Sequence, residues 1–160
     1  MTIKNPNPGV EKLTIGWREW VGLPDLGIAA IKAKVDTGAR TSTLHAFSVV
    51  PFQHSDGSEW VRFGMHPKQD SYDTELYCEA PINDRRIIRD SGGHEEERII
   101  IKTRAKIGEQ LINIELTLTS RDNMMFRMLL GRTAMHGLFT VDPARTFVMG
   151  RRKKRKKPIG

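Results

Sequence analysis

With a single cysteine, Cys78, in 160 residues, no internal disulfide can form, and a reducing compartment is the natural setting. The thiol itself then reads as structural or inert. No apolar run approaches the ~18–20 residues of a membrane-spanning helix, and residues 1–20 lack the apolar core of a secretory leader. A soluble, cytoplasmic protein with no membrane partner is expected. The chain has no Gly-x-x-x-x-Gly-Lys-Ser/Thr phosphate loop and no His-Glu-x-x-His. His45, His54, His66, His94 and His136 are scattered without a ligand pair at helical spacing and read as surface or loop histidines. Neither a metal nor a cofactor is expected. No repeat or heptad pattern is present, and the length suits one domain with a sizeable core.

Acidic charge is also in deficit, since the formal net charge is +7. The excess is local. Arg151 to Lys157 supply seven positive charges, leaving residues 1–150 balanced at 19 basic against 19 acidic. The global basicity therefore does not describe the folded body. Three readings of the tail stay open: a disordered solubilising end, electrostatic attachment to RNA or the ribosome, and attraction of an acidic substrate.

The most informative stretch is Val35-Asp36-Thr37-Gly38-Ala39. It follows the apolar run Ile28 to Ile31 and then Lys32-Ala33-Lys34-Val35, which alternates as a half-buried strand does. Such a strand delivers Asp36 to a loop. A carboxylate there is costly to bury without partners, so it is held for structure or for chemistry. The Thr37 hydroxyl can bond neighbouring backbone, and Gly38 permits close approach of a ligand or second chain. As a bare tripeptide, Asp-Thr-Gly is equally an ordinary turn. Downstream, Met128-Leu129-Leu130-Gly131-Arg132-Thr133-Ala134-Met135 places two large apolar residues and a glycine before a short helix-forming segment.

An apolar strand, Asp-Thr-Gly-Ala and a later apolar-apolar-Gly element together resemble retropepsin-like aspartic proteases. The flanks sharpen the likeness. Ile15 to Pro24, Lys32 to Ala46 and Leu130 to Met135 resemble a bacterial family that carries the label of ATP-dependent zinc proteases, is regarded as retropepsin-like, and is associated with an ATP-grasp ligase adding glutamates to a ribosomal protein. The resemblance runs from about Thr14 to Met149. It implies an all-β fold, a small closed barrel with one short helix after Gly131. It also implies catalysis by Asp36, with Thr37, Gly38 and Ala39 shaping the loop. The zinc and ATP of the label find no motif here, and a metallopeptidase is the weakest of the readings.

The expected organisation is a flexible lead-in over 1–12, a peptidase domain over 13–150 and a disordered basic tail over 151–160. Within the domain, strands are predicted over Leu13–Val21, with Trp17 and Trp20 as core or interface aromatics, from the turn at Gly22–Asp25 into Asp36, and over Ser42–Val50. Residues 51–86 look polar and irregular, with short strands at Trp60–Phe63 and Thr74–Cys78. The 95-residue interval from Asp36 to Gly131 exceeds that of a minimal retropepsin, so this stretch is an insertion. Arg98–Ile107 and Leu111–Thr119 form a hairpin about Gly108-Glu109, because Ile112, Ile114, Leu116 and Leu118 alternate strictly with polar residues. Phe139–Pro143 and Thr146–Met149 are predicted as final strands, partly covered by a second subunit.

Aspartic proteolysis needs two carboxylates sharing a proton, one acting as base toward water and the other donating to the scissile carbonyl. This chain has one good Asp-Thr-Gly, so a homodimer is expected to supply the pair across a two-fold axis. Asp90-Ser91-Gly92 is a rival second carboxylate, rejected because the 54 residues from Asp36 cannot hold a lobe. Ser91, Gly92 and Gly93 instead fall where retropepsins place the flap, an ordinary hairpin loop being the alternative. The adjoining Glu95 to Glu97 read as a solvated acidic patch. Arg132 matches the arginine that braces retropepsin dimers through an ion pair. Where such enzymes have acids after the loop, this chain has Arg40, so Arg132 is left without its usual partner and Arg40 can face a carboxylate-rich ligand. The expected substrate is a peptide or protein, acidic if the ligase association carries over. The competing view is a non-catalytic module binding RNA or the ribosome through residues 151–157.

Overall fold

The computed structural model describes residues 2–3, 11–68, 73–89, 92–120 and 125–150. Asp90, Ser91, residues 4–10 of the lead-in and the whole 151–160 tail lie outside the described residues. The strands are β1 (Thr2–Ile3), β2 (Leu13–Ile15), β3 (Arg18–Leu23), β4 (Ile28–Asp36), β5 (Ser42–His45), β6 (Ser48–Gln53), β7 (Glu59–Met65), β8 (Leu76–Pro81), β9 (Asp84–Arg89), β10 (Glu95–Ile107), β11 (Gln110–Thr119), β12 (Met128–Gly131) and β13 (Phe139–Val141), with one short helix, α1 (Arg132–Met135).

Six strands close into a barrel in the order β11-β5-β12-β4-β3-β10, sealed by the β10–β11 hairpin. Alternation makes that hairpin. Ile99, Ile101, Ala105 and Ile107 of β10 and Ile112, Ile114, Leu116 and Leu118 of β11 all point into the core, while Lys102, Arg104 and Lys106 point out. Each such isoleucine or leucine contributes roughly 1.5–3 kcal/mol of burial. Gly108, at φ +59°, supplies the left-handed residue of the turn.

Several boundaries differ from the sequence expectation. The predicted strand over 13–21 divides at Gly16-Trp17, because the Gly16 N–H turns to the Glu19 carboxylate at 2.6 Å. β3 then continues to Leu23, and the turn is a 3-10 segment over Pro24–Leu26 capped by Gly27 at φ 73°. The strand over 42–50 breaks into β5 and β6. The 51–86 stretch is far more regular than its polarity suggests: β6, β7 and β8 form a three-stranded antiparallel sheet burying Val61, Phe63 and Met65. Thr2–Ile3, within the expected lead-in, pair with Leu111–Ile112.

At the C-terminal end, β13 pairs in parallel with β2, but Thr146–Met149 form no strand. Phe147 sits at φ 52°, outside β geometry. The segment is fixed instead by Glu19, whose carboxylate has no solvent exposure and accepts N–H groups from Gly16, Val148 (2.9 Å) and Met149 (3.0 Å). Within the chain Phe147 stacks on Trp20 at 5.6 Å and Phe139 is buried, while Val141, Phe147, Val148 and Met149 are half-buried. Trp17 and Trp20 are half-buried packing aromatics. His45 is buried within β5 rather than at the surface or in a loop, a correction that follows from its polar partner, the Thr119 hydroxyl 2.7 Å from Nδ1; His66 lies in a loop as expected but is buried, its Nδ1 3.2 Å from the Thr74 carbonyl. Among the described residues no helix is long and apolar enough to cross a membrane.

Candidate active site

β4 and β12 lie side by side and parallel, Leu130 beside Val35 and Gly131 beside Asp36, so the two sequence motifs leave the barrel at one point. Asp36 is half-buried, and its Oδ1 accepts the Gly38 N–H at 3.0 Å. A Cβ on Gly38 would sit only 3.3 Å from that oxygen, so glycine here lets the backbone donor reach the carboxylate. The Ala39 N–H closes the turn on the Asp36 carbonyl at 3.2 Å.

The first turn of α1 then grips the loop from below. The Arg132 and Thr133 N–H groups donate to the carbonyls of Ala39 (2.8 Å) and Arg40 (3.1 Å), and the Thr133 hydroxyl adds a second bond to Arg40 at 2.7 Å. The Gly131 N–H donates to the Ser42 hydroxyl at 3.0 Å. Ser42 and Thr133 were not singled out by sequence reasoning. A serine alternating with apolar residues and a threonine just after Leu-Gly-Arg were the only signals.

Thr37 is exposed, and its hydroxyl has no partner among the described residues, so it does not bond neighbouring backbone. Arg132 points its Nη1 to the Gly38 carbonyl at 3.2 Å, bracing its own loop; among the described residues neither it nor Arg40 forms an ion pair. The two arginines line separate clefts. Arg132 shares one of about 450 Å³ with Lys12, Thr37 and His136, whereas Arg40 borders one of about 250 Å³ with Asn113, Glu115 and Thr133.

Gly92 and Gly93 lie at the turn of the β9–β10 hairpin, Gly93 at φ 83°; Ser91 lies outside the described residues. The base of this hairpin carries the inserted sheet. Arg85 of β9 bridges Glu97 (3.0 Å) and Glu59 of β7 (3.6 Å), and the Ile82 N–H donates to the Glu59 carbonyl at 3.0 Å. Glu95, Glu96 and Glu97 are exposed as expected. Among the described residues no three His, Cys, Asp or Glu side chains converge as a metal cluster.

The model of a family described as "Retropepsin-like aspartic endopeptidase RimB" matches residues 14–152. Proteins named "Probable alpha-L-glutamate ligase" from Desulfotalea psychrophila and Shewanella pealeana are each 47% identical, over 88% and 87% of this chain. One from Parasynechococcus marenigrum is 46% identical over 87%. The chain spans only 30% of the length of these curated relatives. A crystal structure of a Legionella pneumophila protein of unknown function superposes with a TM-score of 0.71 at 25% identity, covering 87% of this chain and 99% of that one.

Proposed function

The chain belongs to the RimB-like family of retropepsin-like aspartic endopeptidases, and from that premise we propose that it hydrolyses peptide bonds as a homodimer with Asp36 catalytic in both subunits. The observation that carries this reading is the loop at Asp36, presented where β4 ends beside the parallel β12 and clamped by the Arg132 and Thr133 N–H groups. Such clamping is what a preorganised carboxylate needs. Among the described residues one chain offers one such loop, so a second copy supplies the other carboxylate. The ionised Asp36 takes a proton from water as its oxygen attacks the scissile carbonyl carbon. The protonated Asp36 donates to the carbonyl oxygen, and collapse of the tetrahedral species releases an amine, which takes up a proton, and a carboxylic acid. Gly92 and Gly93, at the end of a hairpin, serve as the flap.

Acidic polypeptides are the substrate class best supported. Lys12, Arg132 and His136 line the cleft beside Thr37, Arg40 borders a separate cleft and forms no ion pair among the described residues, and relatives sharing this segment are named as glutamate ligases. A domain that hydrolyses glutamate-rich chains would complement such a ligase. The test compares wild type with Asp36→Asn on a mixed peptide library containing a polyglutamate-tailed peptide, from pH 4 to 8. Cleavage lost in the variant with the dimer preserved supports the aspartic mechanism. Equal cleavage by both rejects it. Silence in both shifts weight to a non-catalytic module that binds RNA or the ribosome, a reading favoured by the seven consecutive basic residues at 151–157.

A further inference from the structure

Among the described residues the fold gathers several cations on one face. On the outer face of β4, β3 and β10, the register sets Arg18 beside Lys34, Trp20 beside Lys32 and Gly22 beside Lys106. The alternate residues Val21, Ile31, Ala33 and Ala105 are fully buried, so the basic set faces outward. Among the described residues none of Arg18, Lys32, Lys34 and Lys106 pairs with a carboxylate, unlike Arg104 on the same face, which is held by Asp25 at 2.8 Å. Many acids fall elsewhere, on the inserted sheet and the β9–β10 hairpin: Glu59, Glu79, Asp84 and Glu95 to Glu97.

Aromatic rings lie among these cations. Trp20 and Phe147 are stacked with an interplanar angle of 19°. The Arg18 guanidinium sits 5.0 Å from the Phe147 ring centre, and Lys32 Nζ 5.5 Å from that of Trp20. Met149 packs against Gly108, where an added Cβ would meet its Cε at 2.8 Å. The chain therefore reaches Gly150 beside the turn that follows Lys106, and in sequence the seven basic residues come next. Glu109, in that turn, is an acid bordering the patch.

We propose that this face of the folded body binds single-stranded nucleic acid, phosphates lying on Arg18, Lys32, Lys34 and Lys106 and bases against Trp20 and Phe147. Cations that lack carboxylate partners among the described residues and lie beside rings suit a phosphate backbone carrying flat bases, since stacking adds to charge neutralisation and tolerates any sequence. An acidic polypeptide would use the charges but leave the rings unused. The proposal does not rest on the peptidase reading and is indifferent to Asp36.

The experiment measures anisotropy of a fluorescein-labelled oligouridylate of about 16 nucleotides, the upper end of site sizes for single-strand-binding surfaces, against full-length protein across a salt series. Lys32→Gln, Lys34→Gln and Lys106→Gln together should weaken binding at least tenfold and flatten the slope of log K on log salt by about 2, near 0.7 per lost phosphate contact. A full-length variant with residues 151–157 changed to glutamine should still bind. Arg62→Gln with Lys68→Gln, exposed cations on and after β7, should change binding less than twofold. Binding should quench indole emission in Trp60→Phe but less in Trp20→Phe. Loss of all binding in the tail variant, with the triple variant unaffected, would overturn the proposal in favour of the tail alone. Displacement by poly-L-glutamate at equal charge, without quenching, would overturn it in favour of an acidic polypeptide.

Discussion

Gly131 stands beside Asp36 in the β12–β4 ladder, and a Cβ at Gly131 would come within 2.5 Å of the Thr41 carbonyl carbon. The obstacle is backbone, which cannot rotate aside. Gly131→Ala should therefore force the loop away from α1 and cost about 1–3 kcal/mol, the range for overpacking a tight site. Urea midpoints measure the loss. Peptide cleavage should fall further than stability explains, since the displaced strand carries the hydrogen bonds that fix the Asp36 loop. An alanine variant as stable as wild type would show that the loop can yield.

Glu19 poses the same question at the other end of the chain. Its carboxylate gathers three backbone N–H groups in a site without solvent. Glu19→Ala leaves those donors unsatisfied, at roughly 1–3 kcal/mol each, so a loss on the order of 4 kcal/mol is expected. Glu19→Gln keeps one acceptor oxygen and should lose about half as much. Limited proteolysis should then cut first within 142–150. Cleavage beginning elsewhere would show that Trp20, Phe147 and Met149 suffice to hold the segment.

The sequence made individual strands and the Asp36 loop legible because both are local or periodic signals, whereas closure of the strands into a barrel was expected only from the family resemblance. The strict alternation of Ile112 to Leu118 announces β11, and the glycine after Leu129-Leu130 announces the turn beneath Asp36. Glu19 was invisible because its partners, Val148 and Met149, lie about 130 residues away and are backbone groups that any residue type carries. The inserted sheet was hidden by its outer residues: Arg62 and Glu79 face each other on its exposed side and dilute the apolar count of the strands. The basic face was hidden likewise, for Lys32, Lys34 and Lys106 come together only through strand register.

Cys78 offers a pH test of packing. It is 5% exposed, its Sγ–H donates to the Leu26 carbonyl at 3.3 Å, and burial pushes its pKa from 9.0 up to about 11. Below pH 9 both folded and unfolded thiols are neutral, so the group leaves stability unchanged with pH. Between pH 9 and 11 the unfolded thiol ionises while the folded one does not, so stability falls as pH rises, by on the order of 2 kcal/mol. Cys78→Ala should remove that part of the decline. At pH 8 native protein should react with a thiol reagent far more slowly than urea-unfolded protein. Rapid labelling of the native state would show that the β7–β8 region opens readily.

The exposed Thr37 hydroxyl separates dimer assembly from chemistry. It has no partner among the described residues, yet it adjoins the residue that the proposed mechanism places on a two-fold axis. Two copies brought together there would set each Thr37 beside the other subunit's loop, where a hydroxyl can donate and accept across the interface. Thr37→Val keeps the shape and removes that capacity. Its expected effect is a dimer dissociation constant raised tenfold or more, about 1.4 kcal/mol, with little change in thermal stability extrapolated to low concentration. Specific activity should fall in dilute protein and recover as concentration rises. Asp36→Asn should stay inactive at every concentration, because there the chemistry and not the assembly is lost. Sedimentation velocity and cleavage rates over the same dilution series measure both. An unchanged dissociation constant in Thr37→Val would place the subunit contact away from this loop, and with it would go the pairing of Asp36 carboxylates on which the mechanism depends.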